Sequence, residues 1–228
     1  MRVACFDKQI CTTYITVSHF EYQPAYRRNL PHIQPPGATF FVTFRLAGSL
    51  PQNVLSQWRQ EREWLEHLAR TNVNHYEQIK GDFERAWFAK FELLLDGAIE
   101  GPVWLSDERV ASQVAEALHY RHGKVYRLDA FTIMANHVHT VIKPLPADNG
   151  GDEYHSLAAI MQSLKGYTAF KANRLLGREG ELWAHESYDH WIRDDVEWQR
   201  TVAYVLNNPL RAGYVERWQD WKWSYRRV

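Results

Sequence analysis

Two strand-like runs, Val125 to Met134 and His137 to Lys143, are separated only by Ala135 and Asn136. Runs of β-branched and aromatic residues with so short a link read as an antiparallel hairpin. A third run, Thr39 to Leu46 (TFFVTFRL), follows the Pro35-Pro36-Gly37 turn signal and reads as the first strand of the chain, and Glu186 to Ile192 reads as a further one.

Helical spacing fills the gaps between these strands. Gln52 to Gly97 is charged, Leu-rich and free of proline, with Trp58, Trp64, Leu65 and Leu68 at helical intervals, so two helices are expected there. Ser106 with Asp107 and Glu108 starts another helix, which carries Val110, Val114, Ala117 and Leu118 to about Tyr120 and is closed by Gly123. A further helix runs from about Ser156 to Leu176 and stops at Gly177. The last begins at Asp194 or Asp195 and is expected to end at Asn208, because Pro209 disfavours helical geometry at the residue before it. Strands and helices in this order predict an α+β fold, an antiparallel sheet covered by helices.

The 228 residues suit a single domain. Lys and Arg balance Asp and Glu at 27 each, so a phosphate-binding surface has to come from local clustering of cations. Cys5 and Cys11 provide neither a disulfide framework nor a four-cysteine zinc site. Asp7 and Lys8 interrupt the apolar letters of the first twenty residues, and nowhere do eighteen apolar residues run together, so a cytoplasmic protein with no membrane partner is expected.

The chemistry is concentrated in two short segments. In Met134-Ala-Asn-His-Val-His-Thr140 a strand points His137 and His139 to one face, where two imidazoles can chelate one cation. In Tyr204-Val-Leu-Asn-Asn208-Pro209 a helix places Tyr204 and Asn208 one turn apart, offering a phenol and an amide oxygen to one site. Each pair alone also has an ordinary reading, as a hydrogen-bonded histidine pair or as a half-buried ring beside a helix-terminal asparagine. Tyr167 is followed four residues on by Lys171, which cannot ligate a metal, and Tyr188 by Ile192.

Together the segments resemble the HUH single-tyrosine transposases, and among them the tyrosine transposases associated with repetitive extragenic palindromes (REP). The resemblance runs from about Tyr26 to Trp223. It is carried by Tyr26-Arg27-Arg28 before FFVTFRL, by MANHVHTVI, SLKGYTAF and GELWAHESYDHWIRD, and by VAYVLNNPLRAGYV. It implies a ferredoxin- or RRM-like nuclease core over residues 26–228, with residues 1–25 as an N-terminal extension and 52–97 as an inserted helical segment. It also implies Tyr204 as nucleophile, and His137, His139 and Asn208 as ligands of one divalent cation. The expected reaction is cleavage and transfer of single-stranded DNA beside a hairpin through a 5′-phosphotyrosine link, by a monomer. Oxygen and imidazole ligands suit Mg²⁺ or Mn²⁺.

Arg27, Arg28, Lys165 and Arg193 are candidate DNA contacts, and the closing tryptophans are expected to close the core. A two-histidine phosphoesterase would need two separate His-x-Thr or His-x-Ser motifs, and no second one is present. A non-catalytic RRM-like module that stacks bases on sheet aromatics is the alternative.

Overall fold

The computed structural model describes residues 25–27, 31–33, 35–71, 88, 90–95, 101–147 and 153–228. Of the extension expected over residues 1–25 all but Ala25 lies outside the described residues, as does Arg28.

A two-stranded antiparallel ribbon, β1 (Ala25–Arg27) and β2 (Pro31–Ile33), precedes the main sheet. The main strands are β3 (Thr39–Leu46), β4 (Tyr126–Ile133), β5 (His137–Pro144), β6 (Trp183–Ile192) and β7 (Ser224–Arg226). Their order is β6-β3-β5-β4-β7, and every neighbouring pair is antiparallel. The hairpin β4–β5 therefore supplies two of the three inner strands. The expected α+β architecture is present, with helices on both faces of the sheet.

One face is covered by α2 (Glu108–Arg121) and α3 (Leu157–Leu176), which pack on each other. Phe40, Val42, Phe44 and Leu46 of β3 and Val138 and Ile142 of β5 point into that core, together with Val114 and Leu118 of α2 and Leu164 of α3. Caps fix the ends of both helices. Asp107 accepts from the Arg109 N–H, Ser156 from the Ala159 N–H, and Gly177 closes α3 at φ +61°, where a side chain would be strained.

The other face carries α4 (Asp195–Arg211), which packs over β4, β5 and β7. Its core joins Phe41, Val141 and Ile192 of the sheet to Val202, Val205 and Leu206 of the helix. Alternation along β5 puts His137 and His139 on this face, in register with Arg45 and Thr43 of β3.

Residues 52–97 contribute α1 (Gln52–Thr71) and helical residues 90–95. Phe91 and Leu95 form a small cluster with Leu50.

Two expectations are corrected. Strand β6 starts at Trp183 and not Glu186, because Trp183 pairs with Leu46 beyond an irregularity in the β3 register. Helix α4 does not stop at Asn208. It passes through Pro209 to Arg211, because Val202, Val205 and Leu206 hold the helix against the sheet and buried Pro209 continues that stripe, while the Ala212 N–H caps the Asn208 and Leu210 carbonyls. The closing tail also adds a strand: β7 pairs with β4, while the Trp221 indole donates to the Ile133 carbonyl and Trp223 packs on the larger core.

Candidate active site

The two histidines are fully covered, His137 at 1 % and His139 at 0 % exposure, with their Nε2 atoms 3.0 Å apart. Each ring is held from behind. His137 Nδ1 lies 2.6 Å from Asn136 Oδ1, and the Asn136 amide nitrogen donates to the Leu95 carbonyl at 3.0 Å. That second bond fixes which end of the amide faces the ring, so His137 donates from Nδ1 and presents a bare Nε2. Burial, reinforced by His139 and opposed by Glu92, pushes its pKa down to about 3 and keeps the ring neutral. His139 Nδ1 lies 2.8 Å from Thr43 Oγ1, on the neighbouring strand. With its proton on Nδ1, His139 also turns a bare Nε2 toward the same point.

Helix α4 brings Asn208, itself fully buried, against that point. Its Nδ2 is 3.1 Å from His139 Nε2, and its Oδ1 has no hydrogen-bond partner among the described residues. The oxygen and nitrogen of an amide are alike in shape, so a half-turn of the group would direct Oδ1 at the histidines. One turn earlier, the Tyr204 ring lies edge-on to Phe41 and 5.7 Å from the His139 ring, with the Arg211 guanidinium carbon 5.3 Å from its centroid.

Glu92, from helical residues 90–95, completes the cluster at 2 % exposure. Its Oε2 accepts the Tyr204 hydroxyl and stands 3.2 Å from His139 Nε2, while Oε1 is buried without a partner among the described residues. Burial raises the Glu92 carboxyl, but His139, His137 and the Tyr204 hydroxyl together hold it below the usual range. Tyr204 shifts the opposite way. Burial first, then the Glu92 charge and hydrogen bond, drive its phenol well above the ordinary value, against a smaller pull from Arg211.

The residues present fit a divalent cation. Glu92, His137 and His139 offer ligand atoms all within 4.8 Å of one another, and the two oxygens left without partners, Glu92 Oε1 and Asn208 Oδ1, are buried beside them. Orphaned buried oxygens are costly, and two neutral imidazoles with carboxylate or amide oxygen suit Mg²⁺ or Mn²⁺.

The structure thus brings together His137, His139, Asn208 and Tyr204. Tyr167 is elsewhere, half-exposed on α3 across the sheet, with Arg121 and Lys171 beside its ring. Tyr188 lies on the site face and stacks on Phe88. Among the candidate DNA contacts, Lys165 donates to the Ala184 and His185 carbonyls and to Ser187, which ties α3 to β6. Arg193 is exposed beside the Trp191 ring, and Arg27 lies in β1. A cavity of about 390 Å³ lies away from the histidines, between α3 and β6, with Val42, Met161, Lys165 and Trp183 in its wall.

Sequence reasoning missed Glu92, Asn136, Thr43 and Arg211. A signal existed for Glu92. Phe88, Phe91, Glu92 and Leu95 follow the i, i+3, i+4, i+7 spacing of a buried helix stripe, so a charge stands where the pattern calls for an apolar side chain.

No family model matches the chain. A curated protein of Haemophilus influenzae, named as a REP-associated tyrosine transposase, is 31 % identical over 101 residues, 42 % of this chain and 56 % of that protein. The chain spans just over half the length of this relative. A solved REP-associated tyrosine transposase bound to a REP hairpin shares 16 % identity, covering 87 % of this chain and 80 % of that one, with a TM-score of 0.46. No helix among the described residues is long and apolar enough to cross a membrane.

Proposed function

We propose that this protein is a metal-dependent endonuclease and strand-transferase acting on single-stranded DNA beside a hairpin, with Tyr204 as nucleophile. The observation that carries the reading is convergence. His137 and His139 from β5 and Asn208 and Tyr204 from α4 meet in one buried cluster, although about 65 residues separate the two segments. The similarity to a relative named for repetitive extragenic palindromes supports hairpin DNA as substrate.

His137, His139 and Asn208 would hold the divalent cation, which supplies a positive centre that polarises a phosphate and offsets charge developing on it. The chain's own residues do the rest. Asn136 and Thr43 hold the ring nitrogens behind the site, so both Nε2 atoms stay bare. α4 carries the phenol rigidly beside them. In the reaction the Tyr204 oxygen bonds to phosphorus as the phenol gives up its proton to water, the bond from phosphorus to the 3′-oxygen breaks, and that oxygen takes up a proton from water and leaves as a hydroxyl. Attack by another 3′-hydroxyl reverses the step and gives transfer without ATP. The Arg211 guanidinium, exposed at the end of α4, is placed to meet phosphate beside the tyrosine.

The alternative, an RRM-like binding module, needs an open sheet face with stacking aromatics. Both faces here are covered by helices, and Phe41 and Phe44 are buried. The test is incubation with a single-stranded hairpin substrate in Mn²⁺, followed by a denaturing gel before and after protease. A protease-sensitive shift supports the reading, and equal cutting in chelator contradicts it.

A further inference from the structure

Glu92 belongs to neither segment of the proposed chemistry, yet one of its oxygens touches both. Oε2 accepts the Tyr204 hydroxyl and stands 3.2 Å from His139 Nε2. Attack by the phenol requires a phosphate between the nucleophile and the metal ligands, in line with the leaving oxygen. An anionic oxygen of this chain already fills that place. We propose, on the basis of the nuclease reading, that Glu92 stands in for the scissile phosphate and that helical residues 90–95 are a self-inhibitory cover displaced when the DNA strand enters.

Three further observations support this. The site is sealed: His137, His139, Asn208 and Glu92 are all between 0 and 2 % exposed, so no strand reaches the ligands in this arrangement, in which Glu92 lies against His139. The cover rests on a small cluster of its own. Phe91 and Leu95 pack with Leu50, Val54, Leu55 and Tyr188, Lys90 pairs with Glu61, and the Leu95 carbonyl accepts from Asn136 in the hairpin turn. The cover also comes from the segment between β3 and α2, whereas the ligands and nucleophile come from β5 and α4. A group that only bound the metal could come from the core, while one that has to leave is better carried on a separate piece.

The test uses the full chain in Mn²⁺ with a pool of DNA hairpins carrying randomised single-stranded flanks, from which bound strands are recovered. Hydrogen exchange is read by peptide mass spectrometry. Exchange across residues 90–95 is expected to rise by roughly ten-fold on strand binding, while β5 and α4 become more protected. Unchanged or slower exchange there overturns the proposal. A second arm uses Glu92→Gln, which keeps the shape and removes the charge, and reads only the cover: without DNA or metal, exchange across residues 90–95 should rise about three-fold over wild type, because the charge that holds the segment beside His139 is gone. Unchanged exchange in the variant overturns the proposal. If the strand opens residues 90–95 and no covalent product forms, the cover stands and the nuclease reading falls. If a tyrosine adduct forms while residues 90–95 remain protected, the nuclease stands and the cover falls.

Discussion

Thr43→Val tests the histidine pair without touching a ligand. The hydroxyl of Thr43, fully buried, lies 2.8 Å from His139 Nδ1, and valine has nearly the same shape. In the variant a proton on Nδ1 would be buried without an acceptor, at a cost of about 1–3 kcal/mol. His139 avoids that cost by moving the proton to Nε2, where it can donate to His137 Nε2 only 3.0 Å away. That tautomer cannot bind a cation. The expected loss in metal affinity is therefore about 10–100-fold, the range for removing a hydrogen-bond partner behind a ligating histidine. At about 1.4 kcal/mol per factor of ten this matches the burial cost. The assay is calorimetric titration of Mn²⁺ into the folded variant, with circular dichroism as the check on folding and Thr43→Ser as the control that keeps the oxygen. Wild-type affinity in Thr43→Val, within about two-fold, would refute the reasoning.

Other outcomes are equally concrete. Tyr204→Phe should abolish strand cleavage while leaving hairpin affinity unchanged in a gel-shift titration, because the ring packing on Phe41 is retained. Chelation by EDTA should stop cleavage, and added Mg²⁺ or Mn²⁺ should restore it; the fully paired duplex of the same sequence should stay uncut, since a stiff duplex holds its backbone away from a recessed site. Asp129 accepts hydrogen bonds from Arg127, Trp198 and Arg227, and although burial raises its carboxyl, Arg127 and the other partners hold it below the usual range. Asp129→Asn should cost about 2 kcal/mol in urea unfolding. Because the folded-state pKa is depressed, the stabilisation from Asp129 is present above about pH 4 and is lost as pH falls through the folded value, so variant and wild type should converge in acid.

The parts of the fold readable from sequence are those where local pattern and tertiary role agree. TFFVTFRL and the β4–β5 hairpin are strands in any context, and alternation alone puts His137 and His139 on one face. Tyr204 and Asn208 share a helix face by spacing alone. The remainder depended on packing. Pro209 is carried in α4 because Val202, Val205 and Leu206 hold the helix on the sheet, and a preference at the residue before proline cannot weigh that packing. Strand β7 hides in an aromatic tail whose pairing with β4 is set by long-range contacts. Glu92 is 45 residues from His137 in an ordinary helical run, and only its place on an apolar stripe marks it.

The most direct test of the account is to map the covalent link. The full chain is incubated in Mn²⁺ with a single-stranded hairpin oligonucleotide, digested with protease and nuclease, and searched by mass spectrometry for phosphotyrosine peptides. The account predicts a nucleotide adduct on Tyr204, absent in EDTA and in Tyr204→Phe. An adduct on Tyr167 or Tyr188, or cleavage with no tyrosine adduct at all, would contradict it.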